Sequence, residues 1–319
     1  MPSRRALVTG GAGFIGSHVA DALLAAGYAV VIADDLSTGR RENVPSAAHL
    51  EVLDVGGPDI RPLVRDGAFA VVCHLAAQID VRASVADPAA DATRNILASL
   101  NLLEAVRSAP TRPRVVFSST GGAVYGDFVA PPSVETQAKD PESPYGIAKL
   151  SIEYYMAYYA RIHGLETVAL RYSNVYGPRQ NPEGEAGVVS IFCQRLLSNR
   201  PLKVYGTGEQ TRDYVFVGDV ARANVLAASH AIAAPGPLDQ RAFNIGTGVP
   251  TSVLGLAASL QRAAGTTLVV EHAPARPGEQ MRSFVQVGKA FGELGWAPQV
   301  PLERGLRDTF EWFRARHTS

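Results

Sequence analysis

The heptapeptide Gly10-Gly11-Ala12-Gly13-Phe14-Ile15-Gly16 lies between an apolar run, Ala6–Thr9, and a segment with helical patterning, Ile15–Ala26. Glycines spaced GxxGxxG at Gly10, Gly13 and Gly16 remove Cβ atoms where a chain must turn sharply from strand to helix. They also let the backbone approach a pyrophosphate, which the free N–H groups and positive dipole end of the following helix would bind. A strand, this loop and a helix together predict the first unit of a dinucleotide-binding sheet.

The pattern continues as that unit requires. Ala29–Ala33, Leu50–Leu53, Ala70–Leu75, Arg114–Ser118 and Thr167–Tyr172 read as strands. Helical patterns fall at the segment ending Pro62–Asp66, at Asp91–Arg107 and at Gly146–His163. Repeated β–α alternation with apolar strands predicts an α/β protein: a doubly wound (Rossmann) parallel sheet with helices on both faces. After Tyr172 the pattern weakens, and 177–187 (GPRQNPEGEAG) reads as a long functional loop. The expected organisation is an NAD-binding domain over 1–172 with a returning segment near 213–247, including a strand near Ala242–Ile245. A smaller mixed α/β substrate domain over 173–212 and 248–319 completes it.

Asp34-Asp35 ends the second strand, about twenty residues past the glycines. A carboxylate there accepts hydrogen bonds from adenosine ribose hydroxyls and repels a 2′-phosphate, which favours NAD over NADP. Arg40 and Arg41 lie close by in the chain.

Tyr145 and Lys149 are four residues apart, one helical turn, and so share a helix face. A lysine ammonium beside a tyrosine, together with a cationic nicotinamide, would favour the phenolate and make a general base. Ser118-Ser119-Thr120 follow a strand directly, where an open parallel sheet presents its ligand crevice. A hydroxyl there could hold a substrate hydroxyl and relay its proton to Tyr145.

Thirty Lys and Arg balance thirty Asp and Glu, so charge gives no reason to expect nucleic acid or an anionic membrane as partner. No apolar stretch approaches a membrane span and no secretory leader is visible, which predicts a cytoplasmic protein. The two cysteines, Cys73 and Cys193, sit in apolar runs without metal-ligand spacing and read as buried thiols.

The segments TGGAGFIGSH, DDLSTG, HLAAQ, SSTGGAVYG, SPYGIAK and TRDYVFVGDV, in this order, resemble the extended short-chain dehydrogenase/reductases, the NAD-dependent epimerase/dehydratase family. The resemblance implies that Thr120, Tyr145 and Lys149 are catalytic; Thr120 precedes Tyr145 by 25 residues, which is why it is preferred to Ser119 and Ser118. For the cofactor it implies Gly10, Gly13, Phe14, Ile15 and Gly16 at the pyrophosphate, and Asp34, Asp35, Leu36, Ser37, Thr38 and Gly39 at the adenosine. Asp54 and Val55 would lie beside the adenine. Leu75, Ala76, Ala77, Gln78, Asn95, Ser118 and Tyr172 would line the rest, with Tyr145 and Lys149 also touching cofactor.

For a UDP-sugar substrate the resemblance implies Arg212, Arg276 and Asn174 at the diphosphate. Val188, Lys203, Val204, Tyr205 and Glu279 would hold the nucleoside. Ser283 would bound the space beside the sugar 2-substituent, where its small side chain leaves room for an N-acetyl group. Helix 146–163, with Ile147, Leu150, Tyr154, Tyr155, Tyr158 and Tyr159, and helix 91–107 resemble the family's dimer interface, so a homodimer is expected.

The activity implied is 4-epimerisation of a UDP-sugar. Thr120-Gly121-Gly122-Ala123-Val124-Tyr125-Gly126 lacks the acidic pair of the related dehydratases and the glutamate of the related decarboxylases. UDP-glucose/UDP-galactose leads; UDP-glucuronate, a net oxidoreductase releasing a keto sugar, and a non-catalytic NAD(H)-binding regulator stay open.

Overall fold

The structure, a computed structural model, describes residues 4–128, 130–182, 187–275 and 280–317. Strand β1 (Arg5–Thr9) leads into helix α1 (Phe14–Ala25), then β2 (Ala29–Asp34) and β3 (His49–Val52). Helix α2 (Ile60–Asp66) returns the chain to β4 (Phe69–His74). Short helices α3 (Val81–Ala86) and α4 (Pro88–Ala92) precede a π-helical turn at Thr93–Leu97 and helix α5 (Ala98–Ser108). The single helix expected over 91–107 is therefore interrupted. Strand β5 (Arg114–Thr120), helix α6 (Pro144–His163) and β6 (Thr167–Tyr172) follow.

Beyond β6 the elements are β7 (Asn174–Tyr176), α7 (Val188–Leu197), β8 (Leu202–Tyr205), β9 (Thr211–Phe216) and α8 (Val217–Ser229). Then come β10 (Ala242–Ile245), β11 (Pro250–Ser252), α9 (Val253–Ala264), β12 (Val270–Ala273), β13 (Arg282–Ser283), α10 (Gly288–Leu294) and α11 (Leu302–His317).

Seven strands form one parallel sheet in the order β10-β6-β5-β4-β1-β2-β3. The order reverses between β1 and β4, the switch point at which open α/β sheets bind ligands beyond their strand C-termini. Both faces are covered, so the strands read as apolar runs rather than alternating ones. One core packs Val8, Ile32, Val116 and Leu170 against Val19 and Leu23 of α1 and Val220 and Ala223 of α8. The other packs Leu7, Val72 and Phe117 against Leu102 and Val106 of α5 and Ile152 and Met156 of α6.

A third core, built from Phe192, Leu196, Val204, Tyr214, Leu256, Leu306 and Phe310, joins α7, α9 and α11. Its strands are short: β9 pairs with β7, β11 and β13, and β8 pairs with β12. No described helix is long and apolar enough to cross a membrane.

Helix α6 carries its own start and stop. The Ser143 hydroxyl accepts from Gly146 N, Pro144 occupies the first turn, and Gly164 ends the helix at φ +68°. These signals fix Tyr145 within the first turn of α6.

Candidate active site

The glycine loop is tight enough that side chains could not be accommodated. Gly10 has φ +69°, and a Cβ on it would lie 2.7 Å from Ala76 N; one on Gly16 would lie 2.1 Å from Gly10 O. Gly13 heads α1 with no side-chain cap, leaving the N–H groups of Phe14, Ile15 and Gly16 without intrahelical acceptors. Those donors, the dipole end and a cradle that any Cβ would fill fit a dinucleotide pyrophosphate.

Asp34 and Asp35 have different tasks. Asp34 is buried: Oδ2 accepts from Ala12 N and Oδ1 from Leu36 N, both at 2.9 Å. It therefore clamps the glycine loop to the end of β2, and burial raises its pKa. Asp35 is exposed and accepts from Ser37 N and Ser37 Oγ. The exposed Asp54 caps the following turn by accepting from Gly56 N. Val55 belongs to the buried core.

Behind the loop runs a directional hydrogen-bond chain. Ser99 Oγ donates to Asn95 O, so it accepts from His74 Nε2 at 2.9 Å. His74 Nδ1 is then an acceptor, and Thr9 Oγ1 donates to it at 2.7 Å while accepting from Leu75 N and Ala76 N. His74 is neutral, its pKa pulled down to about 3 by burial and by the neighbouring Lys149 charge. Asn95 and Gln78 lock together through both main-chain groups of Gln78, and Asp91 Oδ1 accepts from both side-chain amides. Leu75, Ala76, Ala77 and Gln78 are thus held rigidly beside Gly10.

Lys149 of α6 reaches β5 at Ser118, two residues before Thr120 ends that strand, and stands close to Tyr145 on its own helix. Lys149 is buried; its Nζ donates to Ser118 O at 2.8 Å and stands 4.7 Å from the Phe117 ring centre and 5.7 Å from that of Tyr145. Burial lowers the Lys149 pKa to about 7, opposed by the carboxylates of Asp91 and Glu153. Tyr145 is half-buried, and its pKa is raised by burial and by Asp91. Both shifts run against the phenolate–ammonium pair expected of the motif, and a cation bound beside Tyr145 would favour the phenolate.

Ser119 Oγ donates to Glu153 Oε1, away from the crevice. The Tyr172 hydroxyl accepts from Asn224 Nδ2. Tyr172, the last residue of β6, is buried in the core shared with α1 and α8. Thr120 ends β5 in a half-buried position.

Glu153 anchors a buried ionic cluster. Both its oxygens accept from Arg171, whose guanidinium also donates to Glu135 O, Tyr125 Oη and Asp239 Oδ1. Tyr125 in turn donates to Asn244 Oδ1. Sequence reading missed Glu153, Arg171, His74 and Asp91. Glu153 stands one turn beyond Lys149, and Arg171 and His74 are polar residues inside apolar strand runs; both were visible signals.

On the substrate side, β13 pairs with β9 so that Ser283 lies beside Arg212. Ser283 is buried and Arg212 half-buried. Asp213 is wholly buried and accepts from Thr247 N, Thr247 Oγ1, Gly248 N and Ser173 Oγ, tying this strand to the end of β10. Asn174 is exposed at the start of β7, and Val188 opens α7. Lys203 and Tyr205 flank the core residue Val204 on β8, with Lys203 Nζ 5.5 Å from the Tyr205 ring centre. Arg276 and Glu279 lie outside the described residues.

Helix α6 divides its apolar residues. Leu150 and Tyr159 are buried, whereas Ile147, Tyr154, Tyr155, Tyr158 and Ile162 are exposed. The face expected to be continuous is thus split between core and surface.

A sequence model of the NAD dependent epimerase/dehydratase family matches residues 6–246. The chain is 44% identical to the UDP-glucose 4-epimerase of Mycolicibacterium smegmatis over 97% of its own length and 98% of that protein's. It superposes on the structure of UDP-glucose 4-epimerase from Thermotoga maritima with UDP-glucose at TM-score 0.91 and 44% identity, covering 98% of this chain and 99% of that one. It also matches the UDP-N-acetylglucosamine 4-epimerase of Methanobrevibacter ruminantium at TM-score 0.91 and 32% identity, over 99% and 100% of the two chains. The chain belongs to the NAD dependent epimerase/dehydratase family, with NAD as its cofactor.

Proposed function

We propose that the protein is a UDP-sugar 4-epimerase that carries NAD through each turnover, with UDP-glucose and UDP-galactose as the leading substrate pair. What supports this reading is Lys149 standing close to the Tyr145 ring and bonded to the β5 strand that Thr120 ends, on a chain 44% identical to a UDP-glucose 4-epimerase over nearly its full length.

Bound NAD supplies a hydride acceptor and donor; the residues supply position and proton control. The glycine loop and the first turn of α1 hold the pyrophosphate. Tyr145 takes the proton of the sugar 4-hydroxyl, with Thr120 fixing that hydroxyl. Lys149 stabilises the resulting phenolate and grips the cofactor ribose. Arg212, Asn174 and Arg276 anchor the diphosphate, leaving the 4-keto sugar free to turn and accept hydride on its other face. Tyr145 then returns the proton. Asp35, exposed beyond the buried Asp34, serves the adenosine ribose.

Ser283 beside Arg212 supports acceptance of N-acetylated sugars as well. The exposed Ile147, Tyr154, Tyr155, Tyr158 and Ile162 support a homodimer through α6 and the 91–107 segment. The division into an NAD-binding part (1–172, with 213–247) and a substrate part (173–212, with 248–319) follows the same reading.

The test is an NMR or chromatographic assay of the purified protein with UDP-glucose, UDP-N-acetylglucosamine and UDP-glucuronate separately, without added coenzyme. The matching 4-epimer is expected from UDP-glucose. No product from any of the three, with or without NAD, would overturn the epimerase reading.

A further inference from the structure

Asp213 is the third residue of β9 and is wholly buried. Its Oδ1 accepts from Thr247 N at 2.7 Å and from Thr247 Oγ1 at 2.6 Å. Its Oδ2 accepts from Gly248 N at 3.0 Å, Ser173 Oγ at 3.2 Å and Val285 N at 3.5 Å. These donors are backbone and hydroxyl groups, and hydrogen bonds to an ionised acceptor are the strong ones. The approach is close: a Cβ on Gly246 would lie 2.4 Å from Asp213 Oδ2 and 2.6 Å from Ser173 Oγ.

The segments that converge on this carboxylate are those that carry the proposed substrate contacts. Ser173 precedes Asn174, and Val285 stands two residues past Ser283. Arg212 precedes Asp213 on β9 itself, where strand alternation turns it to the opposite face, between Thr251 of β11 and Ser283 of β13. The ladder partners of β9 all belong to the smaller sheet, so ladder bonds do not set this strand against the large parallel sheet. Asp213 does so, through its bonds to Ser173, just past β6, and to Thr247 and Gly248, just past β10. Ser173 N also donates to Ile245 O, which fastens those two strand ends to each other.

We propose that Asp213 is a positioning residue for the nucleotide sugar: by fastening β9 to the ends of β6 and β10, it holds Arg212 in register with the strand ends where the sugar reacts. This role rests on the UDP-sugar reading above, in which Arg212 meets the diphosphate. Asp213, wholly buried, touches neither nucleotide nor cofactor and acts through Arg212. Its loss weakens nucleotide binding and leaves in place β5, α6 and the glycine loop, which carry the proton-transfer groups and the cofactor.

Asp213→Asn keeps the shape of the side chain but turns an amide nitrogen toward donors that need an acceptor. The NAD-loaded protein is titrated with UDP by calorimetry, and KM and kcat are measured with UDP-glucose. Expected are a Kd for UDP and a KM raised about tenfold, a kcat within about twofold of wild type, and an unchanged NAD content. A carboxylate that only stabilised the fold would lower the fraction of active protein, and so kcat, at unchanged KM and Kd.

A second comparison is made in Arg212→Ala. Because Asp213 acts through Arg212, adding Asp213→Asn to that variant is expected to weaken UDP binding by less than about twofold more, whereas independent losses multiply. Thr247→Val removes one hydroxyl donor, keeps the backbone donor and is expected to raise the Kd about threefold; with Ser173→Ala it decides if Asp213→Asn does not fold. An unchanged Kd in Asp213→Asn, or in both milder variants, overturns the proposal. So do losses that multiply with that of Arg212→Ala. Wild-type protein that binds no UDP would sink the proposed function and this role together; wild type that binds UDP, with Asp213→Asn unaltered, sinks this role alone.

Discussion

The Lys149 side-chain nitrogen donates to the carbonyl oxygen of Ser118 across 2.8 Å, and this bond pins helix α6 to the end of strand β5. It crosses from the element carrying Tyr145 to the element carrying Thr120. The geometry of the site therefore depends on two packed, regular elements rather than on a loop, which suits a reaction that needs its proton-transfer groups held steady.

The same junction is braced two turns below Tyr145 by Glu153, which takes the Ser119 hydroxyl and the Arg171 fork. Glu153→Ala leaves Arg171 buried with Asp239 as its remaining carboxylate partner. The expected loss is about 3–5 kcal/mol of stability, whereas Ser119→Ala, which removes one hydroxyl, costs about 1–2 kcal/mol. Urea unfolding of both variants measures the difference. Equal, small losses would mean that the cluster does not hold β5 to α6.

His74 predicts a loss of stability in acid. Its folded pKa of about 3 lies below the ordinary value of 6.5, so between these values the unfolded chain binds a proton that the folded one refuses. Stability is then full above pH 6.5 and declines as pH falls toward 3, at about 1.4 kcal/mol per unit at most. In His74→Gln this part of the decline is expected to vanish although the variant starts from lower stability. Thermal melts across that range check it; parallel slopes for the two proteins would count against a neutral, buried His74.

Ser283 stands beside Arg212 through the β13–β9 register. Replacing it with a large residue fills space that the proposed reading gives to the sugar 2-substituent. Ser283→Tyr is expected to lower kcat/KM for UDP-N-acetylglucosamine at least about tenfold relative to UDP-glucose, about 1.4 kcal/mol of discrimination. Steady-state assays of both substrates test it, and an unchanged ratio would move the specificity boundary elsewhere.

The outward face of α6 is apolar where a lone surface helix would be polar. Ile162 is 65% exposed and Tyr154 56%. Ile162→Glu combined with Tyr158→Glu is expected to turn a dimer into a monomer while leaving the fold intact. Light scattering coupled to size exclusion reads the mass directly; a wild type already monomeric at micromolar concentration would remove the interface.

Much of the sheet was legible because each parallel strand is buried on both faces and reads as an apolar run with a helix between it and the next. The glycine loop and the Tyr145–Lys149 spacing were legible for the same reason, being local. Asp34 was visible as a carboxylate but not as a clamp, since its partner Ala12 is 22 residues away and offers only a backbone N–H. Asp91 was hidden in a five-residue helix that carries no periodic signal. The Ser283–Arg212 pairing joins a two-residue strand to one about seventy residues earlier, and nothing in so short a run announces it. Arg171 and His74 were legible in principle, as polar side chains in strands that must be satisfied internally.

The central claim is that C4 is inverted by removing and returning one hydride to the same carbon. UDP-glucose deuterated at C4, incubated with the purified protein and no added coenzyme, measures this directly by NMR. UDP-galactose that keeps its deuterium at C4, formed in ordinary water, is the predicted result. UDP-galactose carrying solvent hydrogen at C4 would contradict the account.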